Sequence, residues 1–317
     1  MTPELRDLIE ILERSSTLEE RAGEAFSPSD SAALDEARVA ARYSRWIARA
    51  AGGDSERFNS LLARRGLNPT LAKRRLTGQT WRGGDATPAW LACLADVVHC
   101  TDAVTFVERP IDCLAAPFVA YARQSIEATR LRLGRHVAAE VWQTFETALA
   151  RWLAFPLAGP LGLELRVQAY RTPKLDRMRF AQSLATSAGL TRLFKENCVA
   201  ARWAAAFTLR SCERFVEIMQ ALERDRAKLA ERFHGGREFG QLVNIQLGLS
   251  DPHHDGRAVA RLRFSSSLTL YFKPRRHATE TRFTELCGWL GARSIDAPSP
   301  LITLDAINHL WMAEVKW

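Results

Sequence analysis

The feature that most constrains this chain is a change of period near residue 236. Before it, apolar residues recur at helical spacing; from Asn244 onward they recur every second residue. Ala258, Ala260, Leu262 and Phe264 alternate with Val259, Arg261 and Arg263, and Leu268, Leu270 and Phe272 alternate with Thr269, Tyr271 and Lys273. Successive strand residues point to opposite faces, so both segments are predicted as strands with one apolar face. Pro274 lacks an N–H and ends the second strand, which leaves Lys273 at its exit, away from the apolar side. Thr279–Leu290 then reads as helix. The predicted fold class is α+β: a large helical region over 1–235, then a small antiparallel sheet plus helix over 236–317.

The helical part divides at its turn residues. A short amphipathic helix is predicted over 4–14, with Thr2 as cap and Pro3 in the first turn. Ser31–Ala50 follows, with Leu34, Val39, Tyr43, Trp46 and Ile47 as core candidates and Gly52-Gly53 as its stop. Two short helices over 55–78 turn at Arg65-Gly-Leu-Asn-Pro-Thr. Pro88–His99, Ile111–Leu133 and Val137–Leu153 are predicted helices, and Phe155-Pro-Leu-Ala-Gly-Pro-Leu-Gly is predicted to break the last of them. Lys174–Ala188 precedes the longest helical pattern, Leu190–Phe233. Its stripe of Phe194, Val199, Trp203, Phe207, Phe215, Met219, Leu222, Leu229 and Phe233 is expected to be core.

Composition excludes several classes. With 47% hydrophobic and 25% charged residues, the 317-residue chain is too apolar for disorder, and it lacks a run long enough to span a bilayer. The net charge of +8 is spread along helices, arginine outnumbering lysine, so the favoured reading is a solvated surface. The clusters Arg64-Arg65 and Lys73-Arg74-Arg75 leave nucleic-acid binding the last-ranked class. Six cysteines without a Cys-x-x-Cys pair read as reduced, buried thiols of a cytoplasmic protein; no zinc site, signal peptide or transmembrane segment is expected.

Chemistry concentrates in the strand region. Pro252 biases Asp251 to an extended backbone, so Asp251 and His253 are predicted to project to one side, and Gly256 allows the chain to turn back. A carboxylate, an imidazole able to exchange protons near neutrality and the Lys273 ammonium are then expected at one end of the sheet. Such a set suits phosphate binding and proton transfer. Glu285 is the candidate helix partner for Lys273, and Arg257 a candidate phosphate contact.

Ser250-Asp-Pro-His-His-Asp-Gly-Arg, Arg263-Phe-Ser-Ser-Ser-Leu, Lys273-Pro-Arg and Phe283-x-Glu-Leu-x-x-Trp-Leu, in this order and spacing, closely resemble the dehydratase domain of class II lanthipeptide synthetases, the LanM family. The resemblance implies lantibiotic biosynthesis. ATP, with Mg2+, phosphorylates a serine or threonine of a precursor peptide, and the phosphate is then eliminated. By resemblance, Asp251 and His253 match positions used in elimination and Lys273 one used in phosphorylation, on a sheet resembling a kinase N-lobe. Ser267 departs from the family's usual glycine, and Arg276-His277 replaces a less polar pair. The matching region ends before the family's downstream Asp, His, Asn, Arg and Thr residues and its zinc-binding cyclase. A truncated dehydratase is therefore expected, with metal ligands outside the chain. The alternative is a non-catalytic peptide-binding or scaffold remnant that complements a separately encoded catalytic half.

Overall fold

The computed structural model describes residues 3–22, 25–28, 36–83, 87–100, 107–251, 256–274, 278–293, 298 and 300–315. In chain order the elements are α1 (Pro3–Ser15), β1 (Phe26–Pro28), α2 (Glu36–Ala51), α3 (Ser55–Ala63), α4 (Pro69–Leu76), β2 (Gln79–Trp81), α5 (Ala89–His99), α6 (Pro110–Leu133), α7 (Ala139–Arg171), α8 (Arg177–Leu184), α9 (Ser187–Glu196), α10 (Cys198–His234), β3 (Leu242–Gln246), β4 (Ala260–Phe264), β5 (Thr269–Lys273), α11 (Ala278–Gly291), β6 (Thr303–Asp305) and β7 (Leu310–Ala313), with a single 3-10 turn over Glu20–Ala22. The fold is α+β, mostly helical with small antiparallel sheets. Among the described residues no helix is long and apolar enough to cross a membrane.

The helix-to-strand change falls where the periodicity changes, but compactness divides the chain elsewhere. One unit comprises Met1–His99 with Ser183–Ala205, the other Cys100–Gln182 with Ala206–Trp317. In the first, Tyr43, Phe58, Leu62 and Ala72 form a core under α2, α3 and α4. The two short helices are capped as their sequences dictate: Asp54 accepts from the amides of Glu56 and Arg57, and Asn68 from that of Leu71. Ile11 and Leu12 bury the inner face of α1, while Asp7 and Glu10 hold Lys195 of α9 at 2.7 and 3.0 Å. Leu34 and Thr2, expected above as core and cap, lie outside the described residues.

In the second unit α7 runs unbroken for 33 residues through Pro156 and Pro160, so the predicted break at 155–162 is corrected. Each proline removes one backbone hydrogen bond, but Leu153, Leu157, Pro160 and Leu161 are buried on a long helix packed along α6. That burial outweighs two missing bonds. The predicted single helix over 190–233 is corrected in the opposite sense. It breaks at Asn197, whose backbone N–H and side-chain amide both donate to the Leu193 carbonyl. The buried phase nevertheless runs on across the break, from Leu190 and Phe194 through Cys198 and Ala201 to Phe215. Cys198, Ala201, Ala204, Ala205 and Thr208 turn inward, leaving Val199, Trp203 and Phe207 exposed, while Phe194, Phe215, Met219, Leu222 and Leu229 are core as expected.

The larger sheet has the order β3-β4-β5-β7-β6, antiparallel throughout. Leu262, Phe264, Leu270, Phe272 and Trp311 bury one face. At the β3 edge, the Leu242 N–H donates to the His136 carbonyl and the Leu242 carbonyl accepts from Ala138, so the start of α7 covers the strand. Beneath the sheet, Asp225 of α10 sits 5% exposed. One of its oxygens lies 2.7 Å from His309 Nε2 and accepts from Trp311 Nε1 at 2.9 Å. The β4–β5 turn places Ser267 at φ 68°, the one non-glycine left-handed residue among those described, where the resemblance set glycine. Gly240, at φ 76°, approaches the Ser265 side chain so closely that a Cβ would collide with it.

Ser267→Gly is expected to raise unfolding free energy by about 0.5–1 kcal/mol in urea titrations, the relief of left-handed strain exceeding glycine's extra unfolded entropy. Asp225→Ala should cost about 3 kcal/mol by the same measurement, because it strands two enclosed donors. A loss below about 0.5 kcal/mol would show that the buried carboxylate does not anchor the sheet.

Candidate functional site

Strand pairing assembles one end of the large sheet from distant residues. Ala260 faces Phe272, Lys273 faces Leu310, and Asp305 faces Leu310 from the other side. The Leu249 N–H donates to the Val259 carbonyl at 2.9 Å, carrying the β3–β4 pairing past the named strands toward Asp251. Asp251 and the exit of β5 therefore lie at the same end, one strand apart, or roughly 10 Å between outer backbones. Ser250 Oγ accepts from the Val259 amide at 3.1 Å, and Gly256 turns back at φ 85°. Gly248 rests against the Trp152 indole of α7. Asp251 itself is exposed. His253, with Pro252 and His254, lies outside the described residues, as do Arg276 and His277.

Lys273 leaves the sheet on the face opposite Phe272. Its Nζ donates to Glu280 Oε1 at 2.7 Å, with the two side chains only 19% and 15% exposed. The helix partner is thus Glu280, in the first turn of α11, and not the predicted Glu285. Helical phase explains the difference. Glu280, Thr284 and Cys287 fall at i, i+4 and i+7 on the inward face, and Thr284 is half-buried and Cys287 buried. Glu285 lies on the outward face, where it is exposed and accepts from Arg282 at 2.7 Å. The buried Cys287 and half-buried Thr284 were the signal that would have set the phase. Leu310, cross-strand from Lys273 and fully buried, shows that this part of the face is covered.

Farther from α11 the same face carries Arg261 and Arg263. Arg261 pairs with Glu314 at 2.5 Å, and Arg263 is exposed. Arg257 behaves differently from the other cations. Its Nε lies 3.6 Å from Glu217 Oε2, an oxygen that also accepts from Arg214 Nη1 at 2.5 Å. Both partners belong to α10, the helix whose Asp225 meets Trp311 on the Phe272 face. The α10-bound guanidinium and the α11-bound ammonium thus flank the sheet end from opposite sides. Glu280, Arg214 and Glu217 were missed in the sequence: Arg214 and Glu217 form an ordinary i,i+3 pair on α10, and only tertiary packing brings Arg257 to it.

The arrangement can hold an anion at a strand exit with a fixed, carboxylate-oriented ammonium. Among the described residues no three His, Cys, Asp or Glu side chains converge as metal ligands. None of the six cysteines forms a disulfide, and burial pushes the Cys212 thiol up to about 12.

Glu280→Ala should destabilise the chain by about 2 kcal/mol in urea unfolding, since it leaves a mostly enclosed ammonium without its carboxylate. Glu285→Ala should stay within about 0.5 kcal/mol, as expected for an exposed pair on one helix. Equal losses would contradict the assigned helix phase.

Residues 198–316 match the family model described as Domain of unknown function (DUF4135), a domain that occurs in lanthipeptide synthetase-like proteins. No curated protein matches the chain.

Proposed function

We propose that this chain carries the nucleotide-phosphate side of a LanM-type dehydratase, which uses ATP to phosphorylate serine or threonine hydroxyls of a lanthipeptide precursor and then eliminates the phosphate. The single observation that carries the reading is the Lys273–Glu280 pair. In protein kinases the phosphate-contacting lysine stands on the third strand and pairs with a glutamate of the next helix. Here Lys273 ends β5, the third strand of the large sheet in chain order, and Glu280 opens the helix that follows. The match at 198–316 to a domain found in lanthipeptide synthetase-like proteins supports the same reading.

Each residue then has a task. Glu280 orients the Lys273 ammonium so that it meets the phosphates without searching rotamers. In this reading Asp251 and His253 serve the elimination step, His253 exchanging protons and Asp251 orienting it or a cationic partner. Mg2+ would accompany the nucleotide, and a separately encoded half would be one source of its ligands and of the acceptor for the hydroxyl proton. ATP bound here supplies the phosphoryl group. The cellular setting proposed is the cytoplasm.

The test is an acyl-phosphate analogue of ATP, which transfers its acyl group to a lysine held beside the phosphates. Mass spectrometry of the digested 317-residue chain should find Lys273 acylated, with protection by free ATP. Glu280→Gln should slow the labelling about tenfold and Glu285→Gln less than about twofold. Acylation spread over surface lysines and indifferent to ATP would refute the nucleotide assignment.

A further inference from the structure

Arg257 follows the Asp251 hairpin directly, yet its side chain is drawn to α10 and away from the Lys273 face. Glu217 Oε2 stands between two guanidiniums, 2.5 Å from Arg214 Nη1 and 3.6 Å from Arg257 Nε. The first distance is a strong charge-assisted hydrogen bond, while the second is too long for one. The Nε–H groups of both arginines are enclosed without a hydrogen-bond acceptor among the described residues. Glu213 lies near Arg214 at 3.7 Å but is 62% exposed and in looser contact. Arg210, one turn before Arg214, adds a further cation to this stretch of α10.

A single carboxylate oxygen that accepts its close hydrogen bond from Arg214 holds Arg257 in place without occupying its fork. The Arg257 side chain remains 36% exposed, so the terminal nitrogens are reachable from outside. A guanidinium edge presented this way matches two oxygens of a phosphate monoester better than a carboxylate's two alone, because the monoester brings nearly two charges and three acceptors. Arg257 is held by a carboxylate of α10 and Lys273 by one of α11, so the two cations are positioned independently.

We propose that Arg257, positioned by Glu217 and Arg214, is a binding site for the phosphate monoester of a phosphoserine or phosphothreonine in the peptide, separate from the anion site at Lys273. This rests on the reading that a peptide hydroxyl is phosphorylated before elimination. The site holds the intermediate beside the Asp251 hairpin after the nucleotide has given up its phosphoryl group. Arg257 is the contacting residue; Arg214 and Glu217 are positioning residues.

Fluorescence anisotropy with the whole chain tests it, using a neutral peptide bearing one phosphoserine and its serine and glutamate counterparts. The phosphopeptide should bind at least about tenfold more tightly than either counterpart, with inorganic phosphate competing. Arg257→Gln should bring the three peptides to within about twofold of one another. Arg257→Lys, which keeps the charge but not the fork, should do nearly the same. Arg263→Gln, on an exposed arginine of the other face, should leave the preference intact and excludes a general effect of net charge; circular dichroism melts confirm that each variant is folded. Equal binding of the glutamate peptide would overturn the phosphate assignment, and so would a preference that survives Arg257→Gln or disappears in Lys273→Met. Persistence of the preference in a chain whose Lys273 is not protected by ATP would sink the nucleotide reading and leave this site standing.

Discussion

Asp225 is a carboxylate placed where water cannot reach it, and the sheet is arranged to answer it. A group of this kind is costly inside a protein unless donors meet it, and His309, just before β7, and Trp311, within it, do so. That pins β7 to α10 in one register. Because β7 pairs with β5 through Trp311 and Phe272, the register of β5 follows, and with it the exit at which Lys273 stands. Phe272 packs against both rings, at 5.0 Å from His309 and 5.1 Å from Trp311, so polar anchor and aromatic core form one block. The position of Lys273 therefore depends on a residue far from it in sequence, carried by a different helix from the one that holds its ammonium.

The two flanking helices impose opposite conditions on the sheet end. α11 presents Glu280 to Lys273, and α10 presents Glu217 to Arg257. Each carboxylate orients a cation rather than burying it away, but the closeness differs. The ammonium is bound tightly at 2.7 Å; the guanidinium is held at 3.6 Å and keeps its outer edge. A tight pair suits a cation that must meet the same phosphate tail in every cycle. A looser one suits a group that must accept a new anion and release it.

Much of this was legible in the sequence wherever a period carries the information. The alternation through Ala258–Phe264 and Leu268–Lys273 predicted both strands and the outward lysine, because a pleated strand leaves no other choice. Helix boundaries set by local hydrogen bonding, as at Asp54 and Asn68, were equally plain. Proline was over-read: Pro156 and Pro160 looked like stops, since nothing local reveals the length of buried face that carries α7 past them. Val199, Trp203 and Phe207 were over-read as core, because small residues such as Ala201 and Ala204 proved to be the packed side there. Glu285 was preferred to Glu280 through neglect of helical phase, an error correctable from Cys287 alone. Asp225 carried no local signal, since its partners His309 and Trp311 arrive from far along the chain, and the Arg214–Glu217 pair looked like any i,i+3 surface pair until Arg257 packed against it.

The turn at Ser265–Ser267 sets a rule for how this region can vary. Between Ala260 and Lys273 the side chains alternate sides, so the lysine's face depends on whether the count of intervening strand residues is odd or even. Gain or loss of one residue within a strand would turn the ammonium into the aromatic layer and bring Phe272 to the surface. Gain or loss of two would keep the face but shift the exit by one pleat, away from Glu280. Length variation is consequently confined to the turn, and parity becomes a heritable constraint on this stretch even where the identity of the residues is free.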